Sequence, residues 1–363
     1  MKNITIIGFG NVGKSLIHQL MKNFKINILT FSKNIKSKKV ITLNNGNVYE
    51  NFVEKITTEV EILKETEIVI ISVPNFLRED IVVKIKKYLK KETIILFIPG
   101  IGPSQFIANK YLKKYTVLCL ERVPYITRSK GEIVEITDSR SVIKYATLNT
   151  NYNYDELIKK MFEKPVEKIP YYMVTLTSSN AILHTTRIFS IFKGNENKIF
   201  DREILFYSEW DDESSYLFQK CDLEIMYICS KLKKMGLINK EIQPLMEYYE
   251  SKTPKELTKK LNSINSLRNI KLDMKKLENN QYILDKNIRF IIEDIPYGLI
   301  MFKGIAELVG EKTPNIDKII IWAQTLLNKK YLIDNKLNNL VATGAPQNFG
   351  IKTLEKLKEV FYG

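Results

Sequence analysis

The order of apolar and polar positions gives the chain two textures. In the first 150 or so residues, short β-branched runs alternate with stretches of helical period. Residues 4–7, 25–31, 67–73, 93–99 and 116–121 read as strands. A helix opens at Asn11 behind the first, and helical spacing over 78–89 follows the third, which Pro74 closes. Apolar runs this short, separated by amphipathic helices, predict a mostly parallel, doubly wound sheet. Residues 132–137 and 141–149 come without a helix between them and predict a mixed or antiparallel end to that sheet. Beyond Pro170 the period is that of long helices, over 172–191, 216–235, 254–261, 288–309 and 314–327. Thr253-Pro254 and Thr313-Pro314 place an N-cap before a first-turn proline, and Gly236 and Gly310 stand where helices end. The expected organisation is an α/β domain over 1–168 followed by an all-α domain over 169–363. A length of 363 residues suits two cores, because single cores stop growing at ~250–300 residues.

The first strand runs into a turn that carries chemistry. Residues 4–16 read ITIIGFGNVGKSL, a G-x-G-x-x-G between strand and helix. One glycine makes the tight turn, one lets backbone approach a pyrophosphate, and one lets the helix pack on the strand. The helix N-terminus adds N–H groups and a positive dipole end. This makes the α/β domain a Rossmann, dinucleotide-binding one. The cofactor-binding candidates are Gly8, Gly10, Asn11, Val12 and Gly13, with Val73 and Pro74 at the end of strand 67–73. An NAD site normally ends its second strand in Asp or Glu. Here the sequence is Leu29-Thr30-Phe31-Ser32-Lys33-Asn34, with Lys36, Lys38 and Lys39 close behind. A hydroxyl and lysines suit a 2′-phosphate, so NADP(H) is expected over NAD(H), with Ser32 and Lys33 as its contacts. The same lysines would also serve as a solvated loop.

Composition narrows the class without naming a partner. The chain has 56 Lys+Arg against 41 Asp+Glu, a formal charge of +15, with 44% hydrophobic and 27% charged residues. Lysine is spread from end to end and no basic–aromatic cluster stands out, so nucleic acid is not expected as a partner. Cys119, Cys221 and Cys229 have neither metal-ligand nor disulfide-framework spacing, so no metal is expected and the thiols read as reduced. No run of eighteen apolar residues occurs, and Met1-Lys2-Asn3 leads straight into a strand. A cytoplasmic protein without a membrane span is the expectation.

Two histidines occur, His18 and His184. His18 lies on the first helix beyond the phosphate turn and reads as a packed or surface residue. His184 lies in TSSNAILHTTRIF, four residues after Asn180 and three before Arg187, so these three fall near one helix face.

Several stretches then stand in order: GFGNVG at 8–13, FIPGIG at 97–102, LERVPYITR at 120–128, SNAILH at 179–184, EDIPYGL at 293–299 and TPNIDKII at 313–320. Together they resemble the octopine/nopaline (opine) dehydrogenases, whose patterns include E-x-x-x-L-P-Y-x-x-R and N-x-x-x-H. The resemblance implies a Rossmann domain joined to a helical one. It implies NAD(P)H-dependent reductive condensation of an amino acid amine with a 2-oxo acid, such as pyruvate or 2-oxoglutarate, through an imine. It also implies a His–Asp pair that handles the proton, at His184 and Asp294, with Asn180 beside them. The chemistry asks for such a pair, since a group that gives and takes a proton near neutral pH suits histidine, and a carboxylate fixes its tautomer. Tyr125, Arg128, Arg187 and Tyr297 are the substrate-binding candidates; Arg187 is inferred from spacing alone and is equally readable as structural. Asp294, just before Ile295-Pro296, could instead cap or kink its helix.

The departures from the family pattern are local. Thr185-Thr186 stands where Pro-Pro or Pro-Gly is common, and Val123 where Leu is common. Phe206-Tyr207-Ser208-Glu209-Trp210-Asp211 resembles F-Y-x-E-G without its glycine. Its acidic end would suit a basic amine substrate or simply start a solvated helix. A 2-oxo acid reductase of the ketopantoate or glycerol-3-phosphate type, or a dinucleotide sensor without turnover, are the alternative readings. The assembly, a homodimer among the options, stays open.

Overall fold

The computed structural model describes residues 1–32, 37–338 and 342–362. Lys33 therefore lies outside the described residues. The chain divides into two units, Met1–Thr175 with Tyr362 returning to it, and Leu176–Phe361.

In the first unit β1 (Lys2–Ile7) leads through the glycine turn into α1 (Asn11–Met21) and on to β2 (Phe24–Leu29). A hairpin of β3 (Lys39–Asn44) and β4 (Asn47–Phe52) follows, then β5 (Lys55–Thr57), β6 (Ile68–Ile71) and α2 (Asn75–Ile85). Next come β7 (Ile94–Phe97), α3 (Ser104–Tyr111) and β8 (Thr116–Leu120). The unit continues with β9 (Tyr125–Lys130), β10 (Ile133–Ser139), β11 (Ile143–Leu148), α4 (Asp155–Phe162) and β12 (Val166–Lys168). The main sheet has the order β12-β11-β8-β7-β6-β1-β2-β5. Its strands pair in parallel except β11 with β8. All four residues of β6 are buried, as a strand covered on both faces requires. Strand order reverses across β1, which puts the glycine turn at the switch point where such sheets take ligands.

β10 does not end this sheet, as expected for 132–137, but joins a second one of order β4-β3-β10-β9. Most of its positions are exposed, and a strand with a wet face has no place inside a doubly covered sheet. β11 supplies the antiparallel pairing instead, against β8, with β12 beyond it at the edge. The β3–β4 hairpin turns on Asn45-Gly46, both with positive φ (50° and 77°), the geometry that asparagine and glycine tolerate best. His18 packs against this hairpin: its ring lies 4.1 Å from that of Tyr49 and its Nδ1 lies 3.1 Å from Asn51 Oδ1.

The stretch expected as one helix over 172–191 is two, α5 (Tyr171–Leu176) and α6 (Ser179–Phe192). α7 (Asp212–Lys234) begins earlier than its periodicity suggests, because Asp211 caps it by accepting from the Ser214 N–H at 2.7 Å. α8 (Leu245–Tyr248) and α9 (Pro254–Ser263) follow, the latter capped by Thr253. The expected helix over 288–309 opens as a π-helix, Phe290–Leu299, and only then becomes α10 (Ile300–Val309). Pro296 lies inside that π-turn, where it lacks the N–H an α-helix would use. α11 (Pro314–Leu327) and α12 (Leu354–Tyr362) complete the chain. Among the described residues no helix is long and apolar enough to cross a membrane.

Candidate active site

The glycine turn is built as its spacing requires. Gly8 has φ 106°, and a Cβ there would stand 2.9 Å from Val73 Cγ1. A Cβ on Gly13 would overlap the carbonyl oxygen of Gly8, so the helix can close on the strand only with glycine. Gly10 is extended (φ −84°, ψ −166°) and a Cβ there meets nothing within 4 Å. The space over Gly10 is thus open for a ligand to meet backbone. The first turn of α1 holds no acidic side chain, and the N–H groups of Asn11, Val12 and Gly13 precede its first helical bond, from Lys14 N to Gly10 O. These residues fit a pyrophosphate.

Side chains that carry no motif hold the turn. Ser72 Oγ donates to the carbonyls of Ile7 (3.2 Å) and Gly8 (3.3 Å). Arg78 is buried; its guanidinium donates to Val73 O (3.1 Å), Ile101 O (2.9 Å) and Ser104 Oγ, tying the end of β6 to the loop after β7. Val73 abuts Gly8, and Pro74 sits at the start of α2. Asn11 accepts from Ser129 Oγ on β9. Arg128 beside it is exposed, with Nη1 on the Thr127 carbonyl at 3.0 Å. Tyr125, two strand positions before Thr127, packs on the apolar core of this unit, and burial pushes its phenol up. Its expected role as a substrate contact gains no partner from this packing, and the ring stays half-buried.

In the second unit the structure brings His184 and Asp294 together. His184 Nδ1 lies 2.7 Å from Asp294 Oδ2, and both side chains keep a small exposure (12% and 15%). The pair exists because α6 and the π-helix run unusually close. A Cβ on Gly298 would stand only 2.5 Å from Ala181 Cβ. Ala181 precedes His184 by one turn of α6, and Gly298 follows Asp294 by one turn of the π-helix, so this contact sets the spacing of the pair. The imidazole stacks on Phe290 (centroids 4.0 Å, 24°) and meets Phe206 edge-on at 5.7 Å. Its Nε2 lies 3.3 Å from Tyr207 Oη. Asn180 is exposed one turn before His184, and Tyr297 is half-buried one turn after Asp294.

Arg187 is not free to hold a substrate. It is 3% exposed, donates to Asp211 Oδ2, Ser214 Oγ (3.2 Å) and the Glu209 carbonyl, and lies over the Trp210 ring. Burial pulls its pKa down against the pull of Asp211. Glu209 is likewise engaged, by Arg202 and by the Leu205 N–H. Of the acidic stretch after Tyr207, Glu209 and Asp211 are thus engaged within the protein, while Asp212 and Glu213 are exposed. Tyr207, Phe206 and Phe290 were not singled out beside His184; the only sequence signal was the F-Y-x-E-like run at 206–209.

Two family models match the chain. Residues 169–327 match the NAD/NADP octopine/nopaline dehydrogenase alpha-helical domain, and residues 3–98 match the NADP oxidoreductase coenzyme F420-dependent family. The tauropine dehydrogenase of Arabella iricolor is 26% identical over 314 residues, covering 80% of this chain and 79% of that protein. The octopine dehydrogenase of Pecten maximus is 24% identical over 324 residues, covering 83% and 81%. Among solved structures, octopine dehydrogenase with NADH and L-arginine is similar with a TM-score of 0.84 and 21% identity over 98% of this chain and 97% of that one. The same enzyme with NADH and pyruvate is equally similar.

These structures overturn the expected preference for NADP(H) over NAD(H), since the enzyme they describe holds NADH. Of the lysines behind that expectation, Lys33 and Lys36 lie outside the described residues, and Lys38 and Lys39 are engaged elsewhere. Lys38 Nζ donates to the Glu54 carbonyl at 3.0 Å and Lys39 Nζ pairs with Glu50 at 2.5 Å, both serving the edge of the second sheet. What the described residues leave at the end of β2 are the hydroxyls of Thr30 and Ser32, and Thr30 Oγ1 accepts from Ser32 N at 3.2 Å. With the His–Asp pair on its helices and relatives matched over four-fifths of its length, the chain is homologous to the octopine/nopaline (opine) dehydrogenase family.

Proposed function

We propose that the protein is an NAD(H)-dependent opine dehydrogenase, joining the amine of an amino acid to the carbonyl carbon of a 2-oxo acid and reducing the resulting imine. The observation that carries this reading is the 2.7 Å bond between His184 Nδ1 and Asp294. A carboxylate at that distance takes the Nδ1 hydrogen, leaving Nε2 as the atom that exchanges protons with substrate. The amine must lose a proton before it attacks, and the carbinolamine oxygen must gain one to leave as water. One imidazole does both in turn, and Asp294 stabilises its charged form between the two events. The pair has so little solvent exposure that water competes poorly for these transfers.

The work divides along the chain, with residues 1–168 binding the dinucleotide and residues 169–363 carrying the substrate and catalytic side chains. Gly8, Gly10, Asn11, Val12 and Gly13 hold the pyrophosphate with the N-terminus of α1, and Val73 and Pro74 wall the turn. Ser32 is suited to a ribose hydroxyl. When bound, the nicotinamide supplies the hydride. Arg128, exposed on β9, suits a substrate carboxylate, and Asn180 and Tyr297 flank the His–Asp pair.

NADH oxidation measured over a panel of amino acids crossed with pyruvate, 2-oxoglutarate and other 2-oxo acids tests this. Turnover that needs both partners, with a secondary-amine product of the summed mass, is expected. Turnover with the oxo acid alone would make the protein a simple reductase, and NADH binding without turnover a sensor.

A further inference from the structure

Asp294 accounts for one nitrogen of His184; the other faces a phenol. Nε2 lies 3.3 Å from Tyr207 Oη. We infer that Tyr207 is a positioning residue for His184, holding the ring through Nε2 in the resting site and ceding that nitrogen to substrate when a proton is exchanged. For its kinetic consequence this rests on the opine dehydrogenase reading above; for its geometry it does not.

Three constraints define the ring. Stacking on Phe290 at 4.0 Å fixes its plane. Asp294 fixes one direction within that plane. Rotation of the ring edge about that single hydrogen bond is still open, and Tyr207 closes it from the opposite nitrogen. Nδ1 carries its hydrogen toward the carboxylate, so neutral Nε2 accepts from the Tyr207 O–H. Once Nε2 has taken a proton, its N–H donates to the phenolic oxygen. A hydroxyl is both donor and acceptor and reorients by rotation of one hydrogen, so the imidazole returns to the same orientation before and after each exchange with substrate. Phenylalanine could not do this, and neither could a carboxamide without flipping.

Tyr207 is itself well held. It is 7% exposed and meets Phe206 edge-on at 4.9 Å. Phe206 is fully buried, 4.9 Å from Phe290, and its N–H donates to the Ile270 carbonyl at 2.7 Å. The Tyr207 carbonyl accepts from the Trp210 N–H at 3.1 Å, closing the turn that carries it. The hydroxyl thus reaches His184 from a segment distinct from both helices of the His–Asp pair.

Tyr207→Phe keeps the ring and its packing and removes only the hydroxyl. We expect kcat to fall about 10- to 100-fold with KM for NADH, amine and oxo acid within about threefold, since misaimed proton transfer lowers turnover and not binding. Unchanged kcat, or a loss carried by KM, would overturn the assignment. The independent readout is nitrogen NMR of the protein labelled with ¹⁵N-histidine, which has only two imidazoles, with His184→Ala assigning the signals. In the Tyr207→Phe chain the Nε2 resonance of His184 should move toward that of an imidazole nitrogen without a donor, while Nδ1 stays. An Nε2 resonance indifferent to the substitution would also overturn it. If the wild-type protein turns over no opine substrates the function reading fails, and the NMR result still decides whether Tyr207 holds the ring.

Discussion

Gly298→Ala tests the idea that backbone proximity, rather than the identity of two side chains, builds the His–Asp pair. The new Cβ would stand 2.5 Å from Ala181 Cβ and 3.4 Å from Ala181 Cα. Carbon atoms pack at about 3.5–4.0 Å, so the deficit is roughly 1 Å or more. Both atoms are fixed to backbone, and no rotamer change relieves the overlap. α6 and the π-helix must therefore part by about 1 Å, one turn from His184 on one side and one turn from Asp294 on the other. A 2.7 Å bond stretched by that much is no longer a hydrogen bond. Overpacking of this kind costs about 1–3 kcal/mol. A misplacement of ~1 Å in a catalytic group costs roughly 10²-fold in turnover. We expect a lowered melting temperature by circular dichroism, kcat down by about two orders of magnitude, and NADH affinity unchanged, because the glycine turn belongs to the other unit. The double variant Gly298→Ala/Ala181→Gly exchanges the methyl across the contact and should restore most of kcat. It should not restore full stability, since glycine inside α6 costs about 1 kcal/mol relative to alanine. Wild-type kcat in Gly298→Ala, or no recovery in a folded double variant, would refute the reasoning.

His184→Ala should lower kcat by roughly 10²–10⁴ with NADH affinity unchanged in a fluorescence titration, and surviving activity would remove the proton role. Gly10→Ala should leave the melting temperature unchanged and weaken NADH binding more than about tenfold, because only a ligand would meet the new methyl, whereas Gly13→Ala should lose both stability and binding. If Gly10→Ala binds NADH normally, the turn is not the phosphate cradle. Burial pushes the Asp211 carboxyl up, but its bonds to Ser214 and the charge of Arg187 outweigh this and hold it below its ordinary value. A depressed folded pKa stabilises the protein above the unfolded value of ~3.9 and ceases to as pH falls through the folded one. The stability gap between wild type and Asp211→Asn in urea should therefore be full at pH 6 and shrink below pH 4; a gap that widens in acid would reverse the sign.

The strand–turn–helix at 4–16 could be read from sequence because each glycine acts on neighbours a few residues away. A Cβ on Gly13 would overlap the carbonyl of Gly8 five residues earlier, and that spacing alone demands the turn. The His184–Asp294 pairing spans 110 residues, and no periodicity links the two; it came from resemblance to a family. The π-helix under Asp294 was not legible, since an apolar run with period near 3.6 looks the same whether its bonds close at four residues or five. Pro296-x-Gly298 was its local trace: one residue excludes the α-helical bond, the other permits the contact with Ala181. The β3–β4 hairpin carries its own local signal in Asn45-Gly46, both with positive φ. Lys38 and Lys39 belong to that hairpin's edge.

The polar run that follows His184 shows how scaffolding can resemble a site. Thr185 and Thr186 are fully buried, yet each hydroxyl bonds back to a carbonyl four residues earlier, on Ala181 and Ile182. That self-sufficiency lets α6 run on unbroken where a proline pair is common in the family. A helix that continues past His184 needs holding beyond it, and Arg187 does that. Asp211 turns one oxygen to the Ser214 N–H as the cap of α7 and the other to Arg187. The start of α7 and the C-terminal half of α6 are thereby joined through one carboxylate. His184 stands between this clamp and the Ala181–Gly298 contact, with one anchor on each side along its own helix. Its aim at Asp294 follows from both, so a charged residue one turn from the histidine can orient it while its own guanidinium stays bonded within the protein.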